Sequence, residues 1–223
     1  MLVWMKRYWP LLLLLTLQFA FILRPGLDIA FSALFYDPVD GFLLRDSIAA
    51  RLVETTSSLL GPALLPLLAW LLLASLYWRR KGEVLLRRKL WFLFVVVALA
   101  PMMAASLLQA NSGRAHPQDI QAFAGSQQFT PAFQSGNQCS THCSFISRAA
   151  TLGFALIALA WTLAQRHWIV IGLCVGATVG LVQVAAGTHF VSDVVFGFWP
   201  VYGACLVAGW LLLGTHRIDM ARR

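Results

Sequence analysis

At 223 residues, with 59% hydrophobic and 12% charged residues and a mean hydropathy of +0.73, the chain is far poorer in charge than soluble domains, where charged residues make up about 25%. A disordered tail, a secreted disulfide miniprotein and a cytosolic enzyme are excluded together, because long charge-free runs dominate and four cysteines make no disulfide framework. What remains is a membrane protein built as a single domain over 1–223.

The apolar runs predict an all-α, polytopic bundle of six transmembrane helices over 8–23, 57–78, 90–110, 149–165, 168–188 and 194–215, most near the roughly 20 residues that cross a hydrocarbon core. The first run follows Lys6 and Arg7 as a secretory leader would, but no small-residue cleavage site follows and Leu23-Arg24-Pro25 comes directly, so it is read as a span. With six crossings, one side holds Lys6, Arg7, Arg79, Arg80, Lys81, Arg87, Arg88, Lys89, Arg166, Arg217, Arg222 and Arg223, twelve of the seventeen basic residues. That side is expected to be cytoplasmic and to hold both termini. Arg24, Arg45, Arg51, Arg114 and Arg148 lie on the other side, with seven of the nine acids. The net charge of +8 and pI of 9.9 are therefore a signal of topology and need no nucleic-acid partner.

Two outer loops, 24–56 and 111–148, are long enough to hold structure. The first is turn-rich, with Arg24-Pro25-Gly26 and Tyr36-Asp37-Pro38, and is expected to cap the bundle. The second gathers Arg114, His116, Asp119, Cys139, His142, Cys143, Ser144, Ser147 and Arg148 beside two helix ends, and a site is sought there. The spans carry no polar track at mid-depth and no repeat, which counts against a transporter. Gly172, Gly176 and Gly180 recur every four residues in the fifth span, a pattern that permits close helix packing, within the bundle or between copies.

His189 and Asp193 stand four residues apart at the start of the last span. On a helix they share a face, and the carboxylate can hold one ring nitrogen while the other points outward as nucleophile or base. Taken alone, the pair reads equally as an interfacial histidine beside a helix-capping Ser192-Asp193.

Gly113-Arg114-Ala115-His116-Pro117 after the third span, Cys139-Ser140-Thr141-His142-Cys143-Ser144-Phe145-Ile146-Ser147-Arg148-Ala149 before the fourth, and His189-x3-Asp193 before the sixth all fall on one face. Their order, spacing and topology resemble the type 2 phosphatidic acid phosphatase family, the membrane branch of the vanadium haloperoxidase superfamily, along nearly the whole chain. The resemblance implies a phosphohistidine at His189 oriented by Asp193, and phosphate oxygens bound by Arg114 and Ser147. A cage of cations and donors suits a phosphoryl group whose charge spreads over three oxygens.

The departures fall on that cage. Gln109 stands where the family has lysine, His116 where it has its second arginine, Gln183 where it has the third-motif arginine, and Ala149 where it has the acid histidine. A general acid is worth about 10²–10⁴-fold and a charge-stabilising donor about 10²–10³. Arg148 is read either as a replacement phosphate fork or as an interfacial anchor. His116 is read as a phosphate contact, and it or His142 as a substitute acid, with a solvated loop residue as the alternative for His142. Cys139 and Cys143 can bridge on an oxidising face, whereas two thiols and one histidine complete no metal site. No cofactor is expected. Cys174 and Cys205 are read as packing residues.

These features together predict a multi-pass protein of the bacterial inner membrane that hydrolyses a lipid phosphate monoester or diphosphate at the periplasmic surface. The alternative is a catalytically impaired relative that binds anionic headgroups or scaffolds a partner. The sequence leaves the oligomeric state open.

Overall fold

Proline and glycine positions set where the helices stop. The computed structural model describes residues 2–77, 83–215 and 218, with side chains from Leu12 onward and without that of Glu83. The basic residues Arg79, Arg80, Lys81, Arg217, Arg222 and Arg223, on which the charge count leans, lie outside the described residues, and the side chains of Lys6 and Arg7 do too.

Helix α1 (Leu2–Leu23) ends at Arg24-Pro25, and α2 (Gly26–Ala33) leaves it at 87°. The Pro25 ring excludes helical geometry at the residue before it, so the bend sits there. A two-stranded hairpin follows, β1 (Tyr36–Asp37) against β2 (Gly41–Phe42) in antiparallel register. The Asp37 carboxylate accepts the Val39 and Asp40 amides at 2.8 and 3.2 Å, which closes the turn and holds its pKa below the usual carboxylate range.

Helix α3 (Ile48–Tyr77) starts at Ser47, whose hydroxyl accepts the Ala50 amide at 3.1 Å. Its 30 residues span about 45 Å, well over a hydrocarbon core. Its first turns therefore project past the apolar layer and carry Arg51, Glu54 and Ser57 alongside the 111–148 loop. Helices α4 (Glu83–Val97) and α5 (Ala105–Ser112) are joined by a π-helical stretch, Ala98–Ala104, around the buried Pro101. Proline has no N–H for the Val97 carbonyl, and the widened turn absorbs the missing bond. Helix α5 stops at Gly113, which adopts φ +58°; a Cβ there would stand 1.9 Å from the Gly136 carbonyl oxygen.

Helices α6 (Arg148–Phe154) and α7 (Ala158–Leu163), separated by a 3₁₀ turn at Ala155–Ile157, are followed by α8 (His167–Ala185) and α9 (Val191–Leu213). Helix α6 lies at the centre, packed on α8 and α9, while α4 packs on α9 and α3. Phe92, Val96, Phe154, Trp161, Val201 and Cys205 form its core. The glycine stripe of α8 faces partners in the same chain, since a Cβ at Gly172, Gly176 or Gly180 would meet Ile157, Phe154 or Val194 at 2.6, 2.1 and 2.1 Å. Leu59, Leu67, Trp70, Leu73, Leu181 and Trp210 are all at least half exposed on the outer surface, an arrangement suited to lipid and not to water.

Among the described residues the structure is helical apart from the hairpin and loops. Four helices among them are long and apolar enough to cross a membrane, Ile48–Tyr77, Val84–Asp119, His167–Ala185 and Val191–Leu213, and the bent α1–α2 pair makes a fifth when counted as one. The expected fourth span, 149–165, corresponds to the shorter apolar stretch Arg148–Leu163, about 24 Å long as helix. Length and composition thus give four or five crossings where six are expected from the sequence.

Candidate active site

The two loops meet over the ends of α5, α6 and α9. Tyr36, Phe42 and Phe123 pack ring against ring, with centroids 4.9–5.1 Å apart. Backbone bonds run from Gln118 to Gly187, Ser144 to Arg114 and Ser147 to Asp193. These contacts bring residues from four distant stretches of chain to one place.

Beneath them lies a buried ionic cluster. The guanidinium of Arg114, 1% exposed, donates to Asp28 at 2.7 Å, to Asp193 at 2.5 Å, to the Ser192 hydroxyl at 2.9 Å and to the Thr130 carbonyl at 2.8 Å. Its plane rests 4.2 Å from the centroid of the Phe190 ring. Two carboxylates thus surround one guanidinium. Asp193 further accepts the Phe190 amide at 2.7 Å, capping α9, and the Ser144 hydroxyl at 2.5 Å. Asp28 accepts the Ser192 amide and hydroxyl at 3.0 and 2.7 Å.

His189 stands against this cluster. Its Nδ1 lies 2.8 Å from the Ser144 carbonyl oxygen and 3.7 Å from Asp193 Oδ2. Both neighbours are acceptors, so Nδ1 is placed to donate and Nε2 is the nitrogen left outside that contact. The carbonyl, more than the carboxylate, fixes the tautomer, and Asp193 supplies negative charge behind the ring.

His189 lines a polar cavity of about 370 Å³ together with Glu54, Ser57, Gln109, His116, Gln118, His142, Arg148, Ala149, Gln183 and Thr188. Of the residues singled out in the sequence, His189, His116, Arg148, His142, Gln109, Ala149 and Gln183 are brought together here. Arg114, Ser147 and Asp193 are not among the lining residues. Ser147 is buried as the cap of α6; its hydroxyl accepts the Ala150 amide at 3.0 Å and donates to Gln183 at 2.5 Å. Gln109 donates to the Ile146 carbonyl at 2.9 Å. The two amides standing at cation positions are thus tied into the backbone and into Ser147.

His116 packs edge-on to His189, with centroids 5.6 Å apart. Its Nδ1 meets the Thr188 carbonyl oxygen and its Nε2 the His142 carbonyl oxygen. Both of its ring nitrogens are thus engaged by backbone carbonyls. Arg148, half-buried at the first turn of α6, has no partner among the described residues. Cys139 and Cys143 are joined as a disulfide with Cα atoms 5.5 Å apart, and Cys205 is buried while Cys174 is exposed. No group of three or more His, Cys, Asp and Glu suited to a metal ion occurs among the described residues.

A second cavity of about 440 Å³ adjoins the first. It is lined by apolar residues of α3, α4, α6 and α8, including Leu60, Leu64, Leu93 and Leu152, and it shares Ser57 and Ala149 with the polar cavity. Sequence reasoning missed Asp28, Ser192, Glu54 and Ser57. Asp28 carried a signal, a carboxylate in an apolar stretch within a segment taken for a cap; Glu54 and Ser57 carried none, since their place depends on how far α3 projects.

No family model matches the chain, and no solved structure matches it. The chain is similar to the lipid A 4'-phosphatase of Francisella tularensis subsp. novicida (strain U112), 29% identical over 221 residues that take in 89% of this chain and 96% of that protein. Along nearly its whole length, then, a chain with the apolar helices of a membrane protein is similar to a bacterial lipid phosphatase.

Proposed function

We propose that this chain is a membrane lipid phosphatase of the type 2 phosphatidic acid phosphatase kind, with His189 as nucleophile. The observation that carries the reading is the unpartnered Nε2 of His189, presented to a polar cavity while Nδ1 is held by the Ser144 carbonyl. Nε2 attacks phosphorus and the bond to the lipid oxygen breaks. The lipid leaves as an alcohol with a proton from His142, and water then attacks the phosphohistidine, returning a proton to His142 and releasing inorganic phosphate. His142 suits this better than His116, because both nitrogens of His116 are taken up by carbonyls. Asp193 and its cluster offset the charge that develops on the His189 ring. Arg148 faces the phosphate oxygens, the His116 ring packs beside His189, and Arg114 acts beneath the site by holding Asp193.

The substrate class is a phosphate monoester or diphosphate on a lipid, and the name of the bacterial relative favours a lipid A phosphate. The apolar cavity that shares Ser57 and Ala149 with the site gives an acyl chain room beside the headgroup. The charge partition supports six crossings, with α1, α3, α4–α5, α6–α7, α8 and α9 as spans, both termini in the cytoplasm and the site facing the periplasm of the inner membrane. The reaction uses no cofactor.

Gln109, Gln183 and Ala149 favour a second reading, in which the cavity binds an anionic headgroup without turnover. Phosphate release from phosphatidic acid, phosphatidylglycerol phosphate, an isoprenyl diphosphate and a lipid A phosphate separates the two. Release by the purified protein that vanishes in His189→Ala is the expected result. No release on any substrate, with binding intact, assigns the second reading.

A further inference from the structure

The polar cavity of His189 continues into another of about 380 Å³, and the two share Glu54, Gln118, Gln183 and Thr188 as a common wall. The far cavity is lined by Arg45 and Arg51. Neither guanidinium has a side-chain or backbone partner among the described residues, and both are exposed. Their support is fixed: the Leu44 amide donates to the Ala185 carbonyl at 3.0 Å, the Arg45 amide to Phe42 at 3.1 Å, and Ser47 caps the helix that bears Arg51. On the loop face the chain carries five basic residues. Arg114 is buried beneath the site, Arg148 lines the His189 cavity, and Arg45 and Arg51 line its extension; only Arg24 stands apart.

We infer that Arg45 and Arg51 form a second anion subsite, and that the lipid recognised carries two separate anionic groups on one headgroup, one at His189 and the other between these arginines. This rests on the lipid-phosphate reading of the His189 cavity. Two unpaired guanidiniums in one cavity offer forked donors to a phosphate-class oxyanion. Two points of attachment on one rigid headgroup reinforce each other without further contacts. An exposed pair is screened by solvent, so the gain is modest, about tenfold in affinity.

The test is equilibrium binding in neutral detergent micelles by His189→Ala protein, which reads the subsite whether or not the parent turns over. The probes are an acylated disaccharide lipid bearing two phosphate monoesters and the same lipid bearing one. The two-phosphate lipid is expected to bind about tenfold tighter, and Arg45→Gln/Arg51→Gln to abolish that preference while leaving the one-phosphate affinity unchanged. No preference at the outset, or one that survives the double substitution, overturns the subsite. So does tighter binding that appears only when phosphatidylglycerol is added, since the anion then comes from a neighbouring lipid. Should the double variant bind neither probe, each single substitution is read in its place, and full retention of the preference in both overturns the subsite. Failure of phosphate release by the parent leaves this measurement intact and counts against turnover alone.

Discussion

Asp28 and Arg114, 86 residues apart in the chain, form an ion pair of 2.7 Å with both side chains 1% exposed. The pair ties α2 to the loop between α5 and α6, and through Arg114 to Asp193. Removing one member of a buried pair leaves the other charged and unpaired, at a cost of about 3–5 kcal/mol. Arg114→Ala is therefore expected to lower the unfolding midpoint sharply in detergent, with or without lipid phosphate. An arginine serving only to bind substrate oxygens would leave the lipid-free midpoint unchanged.

The contacts of His189 divide its neighbours. His189→Ala removes the proposed nucleophile and is expected to abolish phosphate release. Ser144→Ala keeps the carbonyl that holds Nδ1 and loses only the hydroxyl bond to Asp193. Its cost is one hydrogen bond to a charged group, about 1.5–3 kcal/mol, expected mainly in stability with less than a tenfold loss of kcat. Asp193→Asn disturbs the Arg114 pair, the α9 cap and the His189 ring together, so stability and kcat are expected to fall in parallel. Thermal unfolding and phosphate release on the same three variants check the division.

How much of this was legible in the sequence depended on the scale of the signal. Apolar runs locate α8 and α9 to within three residues at each end, because each run alone satisfies the bilayer. They overstate 149–165, where a 3₁₀ turn at Ala155–Ile157 breaks the helix, and place the start of α3 nine residues late, since its projecting turns are polar. Of the residues the motifs single out, seven, His189 among them, line one cavity. What the motif does not reveal is the division of labour. Arg114 and Ser147 match phosphate-binding positions, yet the structure spends their hydrogen bonds on Asp28, Asp193, Gln183 and a helix cap. Asp28 was invisible as a partner because no local pattern announces a contact across 86 residues.

Ala149, 6% exposed, lines both the polar and the apolar cavity. An imidazole in its place would add a second general acid beside the one proposed at His142. Ala149→His is expected to raise kcat by about 10²-fold, the lower end for a positioned acid. The same ring would narrow the junction at Ser57, so KM for a long-chain lipid phosphate is expected to rise while that for a short-chain analogue holds. Steady-state kinetics on both chain lengths test the two effects separately.

The packing of α6 on α8 rests on absent side chains. At Gly176 a Cβ would come 2.1 Å from the ring of Phe154, which is itself buried in the core. The added methyl cannot be absorbed without moving α8 off α6, and overpacking of this kind costs about 1–3 kcal/mol. At Gly203 in α9 nothing lies within 4 Å of the same atom. There alanine relieves the entropy that glycine loses in a helix, a gain of about 0.5–1 kcal/mol. Gly176→Ala is therefore expected to lower the unfolding midpoint in detergent and Gly203→Ala to hold or raise it. Because α6 starts at Arg148 and Ala149, the displacement in Gly176→Ala should also reach the cavity and raise KM for a lipid phosphate. Equal behaviour of the two variants would mean that the glycine stripe does not set the α6–α8 spacing.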